Sequence, residues 1–434
     1  MTETAAEAPP AATPPAKRSR PAQHPAKAII VASIGNALEW FDLIVFGFLS
    51  VVISTQFFPP GNPTAALLQT LVAFGLAFLM RPLGAIFLGR YADRHGRMKA
   101  MVMSAGLMML GTGIIAFIPT YAQIGVFATV GLVIARLIQG FSAGGEFGSA
   151  TAFLAEQSPD KRGFFASWQV ASQGFTTLLA SAFGVGLANW LTPEQLHAWG
   201  WRIPFMFGLI IGPVALYMRR NVPETEEFEA IEPSKTPLMD VMRAHKAPLL
   251  AAIGVTVLAN VATYVVLFMP SFAQRELGLP ASGAFAATLV TGVVQLVLAP
   301  FAGALSDRIG RVPVMAGAGA GMLLLIWPLF AWLVASPTVA TMIAVQAIYG
   351  VLLSCYFGVV PSMLCELFPT RNRTTGLSLG YNIAATLFGG FSPALIVWLI
   401  ATTGSKLAPS YYVMFAAALS LSALVFAHKR FGVR

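Results

Sequence analysis

Apolar runs of twenty or more residues recur along this chain, each parted from the next by a short polar or Gly/Pro-rich break. A helical run of that length crosses the hydrocarbon core of a bilayer, about 30 Å thick. The pattern predicts twelve such helices, at roughly 28–55, 65–90, 98–118, 124–155, 164–190, 202–219, 248–271, 281–305, 313–334, 339–367, 375–402 and 410–428. The longest internal polar stretch, Arg219 to Lys246, carries Glu224, Glu226, Glu227, Glu229, Glu232 and Asp240 beside Lys235 and Arg243, and it divides the helices six from six. The expected organisation is a Pro- and Ala-rich disordered tail over 1–27, a six-helix bundle over 28–219 and a cytoplasmic linker over 220–247. A second six-helix bundle over 248–428 and a short tail over 429–434 complete it. A cleaved signal peptide fits the start less well, because the first apolar run holds Asn36, Glu39 and Asp42 and many more spans follow.

Composition agrees with a membrane protein. The 434 residues are 56% apolar and only 10% charged, against about a quarter charged in soluble domains. The net charge of +9 reports orientation. Of 27 Lys and Arg, only Arg202, Arg275 and Lys406 fall on the face opposite the termini, and only Arg81 and Arg136 fall inside helices. Basic residues accumulate in cytoplasmic loops, so both termini and the linker are expected inside the cell, in a multi-pass inner-membrane protein. No basic patch interleaves with aromatics, so no nucleic-acid partner is expected. Cys355 and Cys365 lie ten residues apart in one predicted helix, about 15 Å, too far for a disulfide. No HxxxH or CxxC spacing marks a metal site, no Walker A loop marks an ATP-driven pump, and no catalytic cluster marks an enzyme.

Two charged loops repeat. The chain reads GRYADRHGRMK from Gly89 and GALSDRIGR from Gly303, both G-x-x-x-D-R-x-G-R. LAEQSPDKRG from Leu154 is echoed by LCELFPTRNR from Leu364. Both pairs sit in matching positions of the two halves, the mark of a duplicated six-helix unit. The fold class is therefore an all-α membrane protein, twelve transmembrane helices in two pseudo-symmetric six-helix bundles.

The D-R-x-G-R loop and the run RLIQG (Arg136 to Gly140) resemble signatures of the major facilitator superfamily. NALEWFD (Asn36 to Asp42), RPLGAIFLGRYADRHGR (from Arg81), RLIQGFSAGGEFGSA (from Arg136), SWQVASQ (from Ser167), GWRIPF (from Gly200) and RRNVPETEEF (from Arg219) resemble its metabolite:proton symporter family across nearly the whole chain. SWQVASQ, YNIAATLFGGFSPA (from Tyr381) and TGSKLAPSYY (from Thr403) are most similar to the citrate and tricarballylate proton symporters. The resemblance implies the major facilitator fold and proton-coupled import of a small organic anion, a di- or tricarboxylate such as citrate, by alternating access. The same family holds symporters for proline or betaine and for shikimate, so a zwitterion or another monocarboxylate is the alternative. The expected partners are a carboxylate substrate and the bilayer, the chain is expected to be monomeric, and no cofactor is expected beyond the coupling ion, H⁺ or else Na⁺.

Ionised groups inside a bilayer cost at least about 2.5–3.5 kcal/mol and so mark function. Glu39, Asp42, Arg81, Arg136 and Glu146 all fall in the first six helices, whereas the last six hold only Glu366, near a cytoplasmic end. Glu39 and Asp42 are three apart and share a helix face. Two carboxylates this close resist joint ionisation, and no histidine lies deep in a span; Asp42, with Glu39, is the expected proton carrier. Resemblance to sugar porters, which pair an acid of helix 1 with the arginine of helix 4, implies that Asp42 faces Arg136. Arg81, nine residues before Arg90, lies about 13 Å inside the membrane, where its planar fork suits a carboxylate; pairing with Glu39 or Asp42 is the bland alternative. Gln169 and Gln173, Asn260 and Tyr264, and Tyr381 and Asn382 are candidate substrate contacts beside Arg81 and Arg136, with Trp168 and Gln295 as further polar positions. Asp93, Arg94, Arg97, Glu156, Asp307, Arg308, Arg311 and Glu366 are candidate gate residues at the cytoplasmic ends.

Overall fold

The computed structural model describes residues 25–59, 61–95, 97–220, 241–243, 245–369 and 373–434. Twelve helical elements follow the twelve apolar runs. They are α1 (Pro25–Phe48, continued by Ser50–Phe57), α2 (Pro63–His95), α3 (Arg97–Phe117), α4 (Val126–Ala143, then Glu146–Glu156), α5 (Arg162–Trp190) and α6 (Ile203–Arg220). The second half holds α7 (Lys246–Glu276), α8 (Ala281–Ile309), α9 (Arg311–Ala335), α10 (Val339–Phe357, then Val360–Leu367), α11 (Arg373–Ala384, a π turn at Ala385–Gly389, then Ser392–Thr403) and α12 (Ala408–Phe431). Among the described residues nine helices are long and apolar enough to span a bilayer alone, ten with the bent α1 pair; α3 and α6 complete the twelve.

The breaks have local causes. α4 breaks at Gly144 and Gly145, and α10 breaks at the matching place, after Gly358 and just ahead of Pro361. Glycine lowers helix propensity and proline removes a backbone donor. The π turn in α11 ends against Gly390, two residues before a segment with Pro393 in its first turn. α1 bends by 75° between Phe48 and Ser50, one residue past Gly47, and glycine weakens a helix interior. The structure corrects two boundaries: α1 starts at Pro25, inside the predicted tail, and α2 runs on to His95. The rest of that tail and residues 221–240 of the linker lie outside the described residues.

Small residues set how closely helices approach. At Gly84, Gly140 and Gly144 an added Cβ would collide with backbone across the α2–α4 contact. Between the halves, α5 and α8 share the most extensive helix contact in the fold, with Gly163 against Gly303 near one end and Gly292 against Leu178 further along. α2 meets α11, where Phe78 lies beside Gly390 and its carbonyl accepts from Thr386 at 2.8 Å. At the far end Ser50 and Ser271 pair at 3.0 Å, and Arg275 donates to Thr64 at 3.1 Å. The bundles thus touch at both ends, an occluded arrangement. Large apolar side chains such as Leu83, Phe87, Phe127, Ile210, Leu324 and Phe426 face outward, which a lipid surround favours and water does not.

Candidate transport site

Among the described residues five charged side chains are buried in the first bundle: Glu39 and Asp42 on α1, Arg81 on α2, and Arg136 and Glu146 on α4. Glu39 and Asp42 engage different partners. Arg81 donates from Nη2 to Glu39 Oε1 at 3.2 Å, and its guanidinium lies 4.4 Å over the Phe78 ring. Asp42 Oδ2 accepts from the Thr112 hydroxyl and, at 3.3 Å, from Gln139 Nε2. Gln139 Oε1 accepts from Arg136 Nη1 at 2.7 Å. The structure therefore refines the pairing that the sugar porters imply: Asp42 meets Arg136 through the Gln139 amide. Arg136 and Gln139 stand three apart on one face of α4, so the bridge needs no distortion. Arg136 also lies over Phe46 at 4.3 Å and Phe74 at 5.2 Å, contacts that suit a desolvated cation.

Opposite these arginines stand neutral polar groups of the second bundle. Tyr264 on α7 is fully buried, packs on Phe78 at 5.2 Å and on Trp40 at 6.3 Å, and lies within electrostatic reach of Arg81, Glu39 and Arg136. Asn260, one turn earlier, shares with it the neighbourhood of Gly389 on α11. Tyr381 stacks face to face on Phe147 at 3.5 Å, also within reach of Arg81 and Glu39. Asn382 donates to the Gly144 carbonyl at 2.9 Å, across the bundle boundary. Among the described residues Arg81 Nε, Arg136 Nε and Nη2, the Tyr264 and Tyr381 hydroxyls, Asn260 Oδ1 and Asn382 Oδ1 have no hydrogen-bond partner. Each unmet buried group costs about 1–3 kcal/mol, more if charged. Such a concentration at a boundary between two bundles is the signature of a site that a polar ligand completes.

The other candidates separate. Gln169 is engaged inside the first bundle, accepting from Thr151 and donating to the Phe147 carbonyl at 3.4 Å, so its amide joins α5 to α4. Gln173 has neither amide atom partnered, and Gln295 on α8, beside Gly174, has a free Nε2. Trp168 keeps Nε1 unpartnered and sets its ring edge-on to Phe164.

At the end of α8 Asp307 accepts from the backbone amides of Gly163 and Phe164, at 2.8 and 2.9 Å. These amides open α5, where the helix dipole favours an anion. Arg311 pairs with Asp307 at 2.7 Å and with Glu366 at 3.1 Å. One carboxylate thus ties α8 of the second bundle to α5 of the first. Arg308 is exposed, and Glu156 stands at the end of α4. The side chains of Asp93, Arg94 and Arg97 lie outside the described residues. Sequence reasoning missed Gln139, although it lies inside the quoted RLIQG run, three after Arg136. Thr112 gave no signal, being one hydroxyl in an apolar helix.

A family model, the Major Facilitator Superfamily, matches residues 32–297 and 284–432. The chain is 37% identical over 410 residues to a citrate-proton symporter of Klebsiella pneumoniae, covering 94% of this chain and 92% of that protein. It is 34% identical over 418 residues to a proline/betaine transporter of Escherichia coli strain K12, covering 91% of this chain and 82% of that one. A solved structure of a proton:xylose symporter bound to 6-bromo-6-deoxy-D-glucose superposes with a TM-score of 0.77 at 19% identity, covering 95% of this chain and 97% of that one. A twelve-helix fold in two bundles, a polar site at their boundary and these likenesses lead to one assignment: the chain is a transporter belonging to the major facilitator superfamily.

Proposed function

We propose that the protein is a proton-coupled symporter that imports a small organic anion, a di- or tricarboxylate such as citrate, across the inner membrane. The observation that carries this reading is the pair of buried guanidinium groups with unmet donors, Arg81 and Arg136, facing neutral acceptors and hydroxyls of the other bundle. A planar fork in a low-dielectric site binds carboxylate strongly, and the citrate-proton symporters among the relatives support the anion class. Asp42 carries the proton, with Glu39 beside it. When both acids are ionised they balance the two arginines. Protonating one releases a positive charge for the anion, so proton and substrate bind more tightly together than apart. Alternating access then proceeds by breaking the cytoplasmic tie of Asp307 to the start of α5 or the opposite ties of Arg275 and Ser271. Both termini face the cytoplasm, as the distribution of basic residues supports.

The proline/betaine transporters among the relatives favour a second reading, a zwitterion whose single carboxylate uses one of the arginines. Uptake into proteoliposomes, with and without an inward proton gradient, decides between them. Gradient-driven accumulation of citrate is expected. Accumulation of betaine or proline without citrate moves the assignment to the zwitterion, and uptake of any of them that ignores the proton gradient refutes proton coupling.

A further inference from the structure

The two oxygens of the Asp42 carboxylate face different surroundings. Oδ2 is held by Thr112 and Gln139, on the way to Arg136. Oδ1 accepts no hydrogen bond although the residue is only 4% exposed. A methyl group built on Gly208 would stand 2.8 Å from Oδ1, so this oxygen points at the backbone of α6. Gly208 and Gly212, one helical turn apart on α6, line a cleft of about 420 Å³, its mouth included. Glu39, Asp42, Thr112, Ala105 and Glu146 also line it, and it has room for water among several polar partners.

The cleft lies on the side of the first bundle where α3 and α6 pack against each other. A smaller space of about 250 Å³ reaches Arg81, Arg136 and Gln139, and shares Glu39, Asp42 and Met108 with the cleft. The two acids therefore stand between a space lined by the two arginines and a space toward α3 and α6. Along the membrane normal the cleft has a direction. Thr112 and Gly208 stand level with Asp42. Ala105 lies two turns nearer the start of α3, Gly212 one turn nearer the end of α6, and Glu146 on the segment that completes α4. The start of α3 and the ends of α4 and α6 are on one side of the fold, the cytoplasmic side in the proposed orientation.

We infer that this cleft is a proton path separate from the substrate path. It rests on the proposed role of Asp42. The Asp42 carboxyl gives its proton to water in the cleft, the proton passes by the Glu146 carboxylate to the cytoplasm, and Asp42 remains as a carboxylate facing Arg136 through Gln139. Electrostatics separates the two routes. A proton leaving by the bundle boundary must pass Arg81 and Arg136, two cations in a low dielectric. On the cleft side the charged groups are Glu39 and Glu146, α3 offers Thr112, and α6 offers only glycine. Substrate anion and proton would thus leave through sites of opposite sign.

The test uses the full-length chain with Cys355 and Cys365 replaced by Ser, carrying Ala105→Cys, reconstituted in proteoliposomes. A small cationic methanethiosulfonate is applied from the cytoplasmic face with citrate saturating. Labelling is expected, with proton-driven citrate uptake falling at least tenfold while citrate counterflow, which needs no net proton release, changes less than twofold. Three results overturn the inference: no labelling, labelling that leaves proton-driven uptake intact, and labelling that lowers both activities in step. Gly212→Cys, whose added Cβ has the flexible Met109 side chain as its nearest neighbour, repeats the test if the first variant does not fold. Failure of the underlying reading looks different: Asp42→Asn would still concentrate citrate, whatever the labelling result.

Discussion

The two bundles share a topology and differ in chemistry. The first buries Glu39, Asp42, Arg81, Arg136 and Glu146 in its middle. The second, among the described residues, buries charge only at the starts of α9 and α11, as Arg311 and Arg373. At the depth of Arg81 it presents Asn260, Tyr264, Tyr381 and Asn382, all neutral. Both halves still keep the helix breaks of α4 and α10 and the charged loops after α2 and α8. A duplicated scaffold has thus retained its mechanical parts twice and its ionic parts once. Charge is costly inside a bilayer, so one coupled set of charges suffices, and the facing half supplies shape and hydrogen bonds. Coupling should therefore be lost by substitutions in the first bundle and merely retuned by substitutions in the second.

The largest expected effect is at Asp42. Asp42→Asn should abolish citrate accumulation against a gradient while counterflow persists, measured with radiolabelled citrate in proteoliposomes; continued accumulation would break the contrast between the halves. Next is Arg81. Arg81→Ala removes a proposed substrate donor and the ion pair it makes with buried Glu39; losing one side of a buried charge pair costs about 2–5 kcal/mol of binding, so citrate binding by calorimetry should weaken more than about thirtyfold. Arg81→Lys keeps the charge without the fork and should weaken it about tenfold. In the second bundle, Tyr264→Phe removes one neutral hydroxyl, worth about 1 kcal/mol. It should raise the KM for citrate about fivefold and leave the proton dependence of uptake unchanged. The smallest effect is expected at Asp307. Asp307→Asn weakens the tie to the start of α5, so cysteine probes at that end of the fold should react about threefold faster, with little change in intrinsic affinity.

The fold was legible because hydrophobic length is read directly from a chain, and the loops of charged residues marked the duplication. The α4 break was visible as Gly144–Gly145, whereas the bend of α1 is marked only by the single Gly47, next to where Ser50 pairs with Ser271 of the other bundle. The charged members of the site stood out because their burial demands a reason. Their partners did not. Spacing places Glu39 and Asp42 on one face, but only the packing of α2, α3 and α4 gives Arg81 to the first and Thr112 and Gln139 to the second. The Phe147–Tyr381 stack joins residues over two hundred positions apart, and no local pattern predicts such a pair. Gln169 and Gln173 read alike in sequence, yet one is engaged by Thr151 and the other keeps both amide atoms unpartnered.

The central claim is that one charge set in the first bundle links proton binding to anion binding. Its most direct test is the number of protons taken up when citrate binds, read with a pH-sensitive dye in weakly buffered detergent solution, for wild type, Tyr264→Phe and Asp42→Asn. Proton uptake on citrate addition is expected for the wild type and, at a higher citrate concentration, for Tyr264→Phe, with none for Asp42→Asn. Equal proton uptake by Asp42→Asn, or its loss in Tyr264→Phe with citrate still bound, would contradict the account.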